Sequence, residues 1–120
     1  MEREVAYRGQ RFTIAFARRR NGQSPGADFY DALPVGDKAK LANLFRLLAD
    51  HGHIANPEKF RKLDRSLFEF KSFQIRMPCA FARTRGLVII THGFCKKKDK
   101  TPRKEIDRAW EIFNEDQGQA

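Results

Sequence analysis

Six cations crowd one short segment: Lys96, Lys97, Lys98, Lys100, Arg103 and Lys104 follow directly on the apolar run Leu87–Ile90 and on His92 and Phe94. Amines and guanidiniums at this density can hold an anion, and a guanidinium adds a two-pronged contact matched to phosphate. The segment leads into a helix start, with Thr101 read as the N-cap and Pro102 as the first helical residue. A first turn ordinarily favours acids, because its unpaired N–H groups make that end positive. Here it carries Arg103 and Lys104 instead, an arrangement that suits a bound phosphate, whereas a solvated charge run is the bland alternative. A second pair of cations, Lys71 and Arg76, flanks Phe73, and the imidazole of His92 has an unperturbed pKa near neutrality. Of eleven phenylalanines, Phe73 and Phe94 stand beside cations and could stack on bases, while most of the others fall at core periodicities.

The overall charge of +9 is unevenly spread. Residues 58–85 hold eight Lys or Arg against three acids and residues 96–108 seven against three, whereas residues 21–57 hold three cations against four acids. A polyanion-binding side is the direct implication, with nucleic acid the first candidate. The 120 residues fit one domain, large enough to bury a core without staples. No apolar run approaches the roughly 18 residues of a membrane span, and the first residues have no signal-peptide character, so a soluble cytoplasmic chain is expected. Two cysteines are too few for a disulfide framework or a Cys-based zinc site, and no metal or cofactor is called for.

The positioning elements follow from periodicity. Phe12, Ile14 and Phe16 alternate within a strand over 11–17. Ser24 and Pro25 start a short helix ended by Pro34, and Asp37 is a cap for a second helix over 38–51, in which Leu41, Leu44, Phe45 and Leu48 form one stripe and Gly52 closes the end. The stretch 56–65 reads as polar and basic, anchored by Phe60 and Leu63. Strands follow over 67–71 and 74–82, and Pro78 calls for an edge position or a bulge. Leu87–Ile90, unbroken and β-branched, reads as a central strand buried on both faces. If it runs in register to Lys96, then Val88, Ile90, His92, Phe94 and Lys96 share a face. A turn at 83–86 would set Cys79 near Ile90 and Cys95 near Gln74. The closing helix, from about Pro102, places Ile106, Ala109, Trp110 and Phe113 on a core stripe. The order β-α-α-β-β-β-α is an α+β domain, a mostly antiparallel sheet with helices on one face and the other open to a ligand.

The ordered set Leu67 to Lys71, Ile75 and Arg76, His92 to Lys97, and Lys100 to Pro102 before the Ile106/Ala109 helix resembles the RelE/ParE toxin superfamily, most nearly its phage-derived, HigB-like branch. That branch shows a Leu-aromatic-Glu-Leu-Arg strand, a Tyr-Arg strand, then His-Gly-Phe-x-Lys-Lys and a Lys-Thr-Pro helix start. The match runs over roughly residues 11–114. It implies the toxin of a type II toxin–antitoxin pair, a ribosome-dependent endoribonuclease acting on mRNA and neutralised by a helix-turn-helix antitoxin. Lys71 stands at the arginine of the first strand and Arg76 at that of the second, and His92, Lys96 and Lys97 match the later motif. Ile75 and Cys79 depart from it, occupying positions where relatives often carry tyrosine.

Metal-free RNA cleavage needs a base for the 2′-hydroxyl, a cation for the phosphorane charge and an acid for the 5′-oxygen. Lys71 or Lys97, its pKa depressed by neighbouring cations, is the expected base, Arg76 the charge stabiliser, and His92 an acid or base. Lys96, Lys98, Lys100 and Arg103, with Phe73 and Phe94, are the expected RNA contacts. For Arg76 the competing role is structural: a tight turn at Ser72-Phe73 would set Glu69 opposite it as a cross-strand ion pair. Two other functions stand beside the nuclease, a ParE-like gyrase poison and a nucleic-acid-binding member without activity.

Overall fold

The computed structural model describes residues 2–96 and 100–118. Among these residues seven strands and three helices follow in the order β1 (Val5–Arg8), β2 (Thr13–Phe16), α1 (Pro25–Asp31), α2 (Val35–His51), β3 (Phe60–Asp64), β4 (Leu67–Ser72), β5 (Ile75–Phe81), β6 (Leu87–Ile90), β7 (Phe94–Cys95) and α3 (Arg103–Asp116). They build an α+β domain with one sheet in the order β1-β2-β6-β5-β4-β3, β7 adding to β5. All pairings are antiparallel except β2 with β6. Among the described residues no helix is long and apolar enough to cross a membrane.

The helices do not share a face as expected. Ile14, Phe16, Phe70, Met77, Val88 and Ile90 pack with Leu41, Phe45 and Leu48 of α2 and with Ala27 of α1. Their alternating neighbours Ala15, Ala17 and Ile89 pack with Ile112, and Leu67 and Ala80 with Ile106 and Ala109, all of α3. The period of two sends successive side chains to opposite sides, and small residues at 15, 17 and 80 let α3 approach the second side. β6 therefore lies between helical layers, which is why Leu87–Ile90 carries no polar residue. Each fully buried Leu, Ile or Phe contributes roughly 1.5–3 kcal/mol relative to exposure.

Four local expectations change in ways that matter for the site. β5 is an interior strand, yet it tolerates Pro78 because its partner changes from β6 to β7 there; the Pro78 carbonyl accepts from Thr91 N at 2.9 Å where that side of the ladder is interrupted. β6 does not run on in register to Lys96: Cys79 pairs with Ile90, but Cys95 pairs with Ile75 rather than Gln74. One residue has been absorbed in 91–93, where a Cβ on Gly93 would strike the Phe29 ring of α1. That slip turns Phe94 to the face opposite Val88 and Ile90, the α3 face that Arg76 also occupies. α2 begins at Val35 on the Pro34 cap rather than after Asp37, and ends as expected on Gly52 in the left-handed conformation. Pro102, not Thr101, caps α3.

Candidate functional site

The β4–β5 hairpin turns at Phe73-Gln74, one residue later than a Ser72-Phe73 turn, so Lys71 and Arg76 face each other directly and Glu69 faces Pro78. Two like charges opposed on one face of a sheet repel. The local structure answers in two ways. Arg76 folds back onto its own turn, Nη1 donating to the carbonyls of Phe73 and of Ile75, the latter at 2.9 Å. Lys71 Nζ donates to the Pro57 carbonyl at 3.3 Å.

The main answer is Glu69, completely buried on the same face. Its Oε2 accepts from Arg61 Nε on β3 at 2.8 Å and stands 3.9 Å from Arg76 Nε, while its Oε1 accepts from the Thr101 hydroxyl at 2.9 Å. Thr101 thus spends its side chain on the site and not on the helix end. Lys96 extends the β7 pairing, its N–H donating to the Gln74 carbonyl at 2.9 Å, and it too is buried. Burial, and after it the charges of Arg76, Arg61 and Lys71, hold the Lys96 amine below the ordinary lysine range. Burial followed by Arg61 and Arg76 does the same for Lys71. Glu69 opposes both shifts.

Beside this group a concavity of about 310 Å³ is lined by Phe94, Cys95, Lys96, Lys100, Lys104 and Glu105 among others. The Phe94 ring lies 5.6 Å from that of His92 and nearly parallel to it. His92 itself is buried with both nitrogens engaged, Nδ1 3.0 Å from the Thr91 hydroxyl and Nε2 3.1 Å from Glu105 Oε1 of α3. Burial lowers its pKa, and Glu105 only partly offsets this. A neutral ring that accepts from Thr91 and donates to Glu105 satisfies both contacts.

Of the expected site residues, the fold gathers Lys71, Arg76, Lys96 and Phe94. His92 is tied to α3, and Arg103 lies within reach of Asp107 at 3.0 Å and Asp64 at 3.8 Å. Lys100 is exposed at the rim. Phe73 sits exposed at the tip of the hairpin. Lys97 and Lys98 lie outside the described residues. Arg61 and Thr101 had no place in the expected site; Arg61 sits in a stretch without a strand signal, and Thr101 read as a helix cap. The assembled group can grip a phosphate through its guanidiniums, and either lysine, with its pKa lowered, gives up its proton more readily than a free one.

Residues 28–114 match the family model of the phage-derived Gp49-like proteins. No curated protein matches the chain.

Proposed function

The chain belongs to the phage-derived Gp49-like family, within the RelE/ParE-like toxin superfamily, and on that premise we propose that it is a HigB-like toxin, a ribosome-dependent endoribonuclease that cuts mRNA and arrests translation in the cytoplasm. One observation carries the reading: Lys71, Arg76 and Lys96 converge with Arg61 on the α3 face around a single buried carboxylate. That leaves more positive than negative charge where strands meet a concavity, which suits a ribose–phosphate backbone better than a neutral ligand.

In this mechanism Lys71 or Lys96 removes the 2′-hydroxyl proton and the resulting oxygen attacks the adjacent phosphorus. Arg76 stabilises the negative charge that builds on the phosphorane oxygens. The bond to the 5′-oxygen then breaks, a protonated lysine supplies its proton, and the products are a 2′,3′-cyclic phosphate and a 5′-hydroxyl. His92 serves by fixing Phe94 and the 91–96 segment against Glu105. Lys97 and Lys98, with Lys100, would extend the contact to mRNA and ribosomal RNA, and a helix-turn-helix antitoxin covering the basic face would neutralise it.

The test is primer extension in a translation extract with and without ribosomes, together with growth after induction. Wild type should cut only translated mRNA. Arg76→Ala should lose about 10²- to 10³-fold in cleavage, the cost of one transition-state donor, and Lys71→Ala with Lys96→Ala should lose at least as much. Growth arrest by Arg76→Ala at wild-type potency would remove the nuclease reading and leave a binding poison.

A further inference from the structure

Among the described residues, two that are not glycine adopt a left-handed backbone, Arg65 at φ 44° and Phe73 at φ 55°. Both sit in hairpin turns, where Gly or Asn would hold that conformation without strain. Arg65 has a visible return, its guanidinium lying 4.7 Å from the centre of the Trp110 ring and 3.7 Å from Asp64. Phe73 has none in the core. The residue is 70% exposed, more than any other aromatic residue described. What surrounds it is two exposed amines, Lys40 Nζ of α2 at 4.3 Å from the ring centre and Lys59 Nζ at 5.7 Å.

These parts join the site already described. The Phe73 carbonyl accepts from Arg76, and the Lys59 carbonyl accepts from the Lys71 N–H at 2.8 Å. The hairpin tip therefore carries an unburied ring and two cations around the corner from Lys71 and Arg76. We propose that Phe73, Lys40 and Lys59 form a stacking station for one unpaired base of a single-stranded RNA, whose backbone runs on from there to Lys71 and Arg76. The station rests on the reading that the basic face takes RNA. A base has a π-face to offer the ring, and its flanking phosphates give the two amines the counter-charge they lack toward each other. The lysines are held to the ring only by exposed cation–π contacts, among the weaker attractions available to it, so a base displaces one of them and its phosphate retains it nearby.

The experiment measures binding of a short fluorescein-labelled single-stranded RNA, and of its duplex, by anisotropy across a salt series. Phe73→Ala should weaken single-strand binding by about 5- to 100-fold, and Phe73→Trp should retain it. The loss should persist at high salt, whereas the loss on Lys40→Ala with Lys59→Ala should shrink there. Duplex binding, where bases are already stacked, should be indifferent to Phe73. Phe73→Gly relieves the left-handed strain, so it should melt no lower than wild type while binding as weakly as Phe73→Ala, which separates the ring from the fold. If Phe73→Ala binds single strands like wild type while Arg76→Ala does not, the station is overturned and the basic-face reading survives. A wild type that binds no RNA overturns both.

Discussion

Replacing Glu69 by leucine separates a carboxylate that organises the site from one that merely fills space. Its side chain has no solvent exposure, and it stands 2.8 Å from Arg61 and 3.9 Å from Arg76. Removing one partner of a buried pair costs about 3–5 kcal/mol, because the remaining charge is stranded. Arg76, only 9% exposed, carries that cost here, whereas Arg61 is 33% exposed and solvent relieves it, so the lower end, about 3 kcal/mol, is expected. Against a total of roughly 5–15 kcal/mol that is a large fraction. Glu69→Gln keeps an oxygen for Thr101 or Arg61 and loses only the charge, so about 1.5–3 kcal/mol is expected. Urea unfolding reads both, as a fall in midpoint at constant slope. Repeating the substitution in Arg61→Leu tests the assignment, since the pair should couple. The same change bears on chemistry: Glu69 raises the pKa of Lys71 and of Lys96, so its loss should push both amines further down and move the alkaline rise of cleavage to lower pH. A Glu69→Leu protein within about 0.5 kcal/mol of wild type, the range of an ordinary surface change, would refute the claim that this carboxylate holds the cluster together by partly offsetting its charge.

Stability should fall as pH drops below about 6.5, in part through His92. Its folded pKa is lowered, so the unfolded chain binds the extra proton first and the contribution is lost as pH falls toward the folded value. His92→Asn should flatten that part of the urea-midpoint profile, and an unchanged profile would refute the assignment. The two thiols should separate under native labelling with a maleimide: Cys95 is exposed and should react, while Cys79 is buried with its pKa pushed far up by burial and should wait for unfolding. Mass spectrometry showing two rapid additions would contradict the buried position of β5.

Periodicity made the central elements legible and hid the margins. Leu87–Ile90 declares its two-sided burial, and the stripe Leu41, Leu44, Phe45, Leu48 declares α2, because burial imposes a pattern on side chains. β1 and β3 are sheet edges whose residues are half-buried or exposed throughout. Nothing selects apolar alternation there, and Phe60–Asp64 reads as a polar stretch with two anchors. The side taken by α3 was hidden for another reason. The stripe expected at Ile106, Ala109, Trp110 and Phe113 says that a helix is covered on one side, although Ile112 is buried there and Trp110 and Phe113 are only half-buried, and only the small residues Ala15, Ala17 and Ala80 on the facing strands say which side of the sheet has room.

At the site, residue types were legible and register was not. Lys71, Arg76 and Lys96 could be picked out by charge and order, but whether Arg76 opposes Glu69 or Lys71 turns on a single residue in the hairpin. Phe73 in a left-handed conformation is a turn that sequence rules pass over, because they look for Gly or Asn. The same applies to Lys96, which was expected on the face of Val88. One residue absorbed at 91–93 moves it to the face of Arg76, and a lysine expected as an RNA contact becomes a buried amine with a lowered pKa beside Arg76. The two irregularities act differently: the later hairpin turn slides Arg76 along the α3 face from Glu69 to Lys71, and the residue absorbed at 91–93 brings Lys96 onto that face, which regular pairing would have kept it from. A sheet built only for stability would not oppose Lys71 to Arg76 or bury Lys96 beside them. The repulsion is tolerable because Glu69 lies beneath, and the cations still outnumber it, which leaves room for a phosphate to complete the balance.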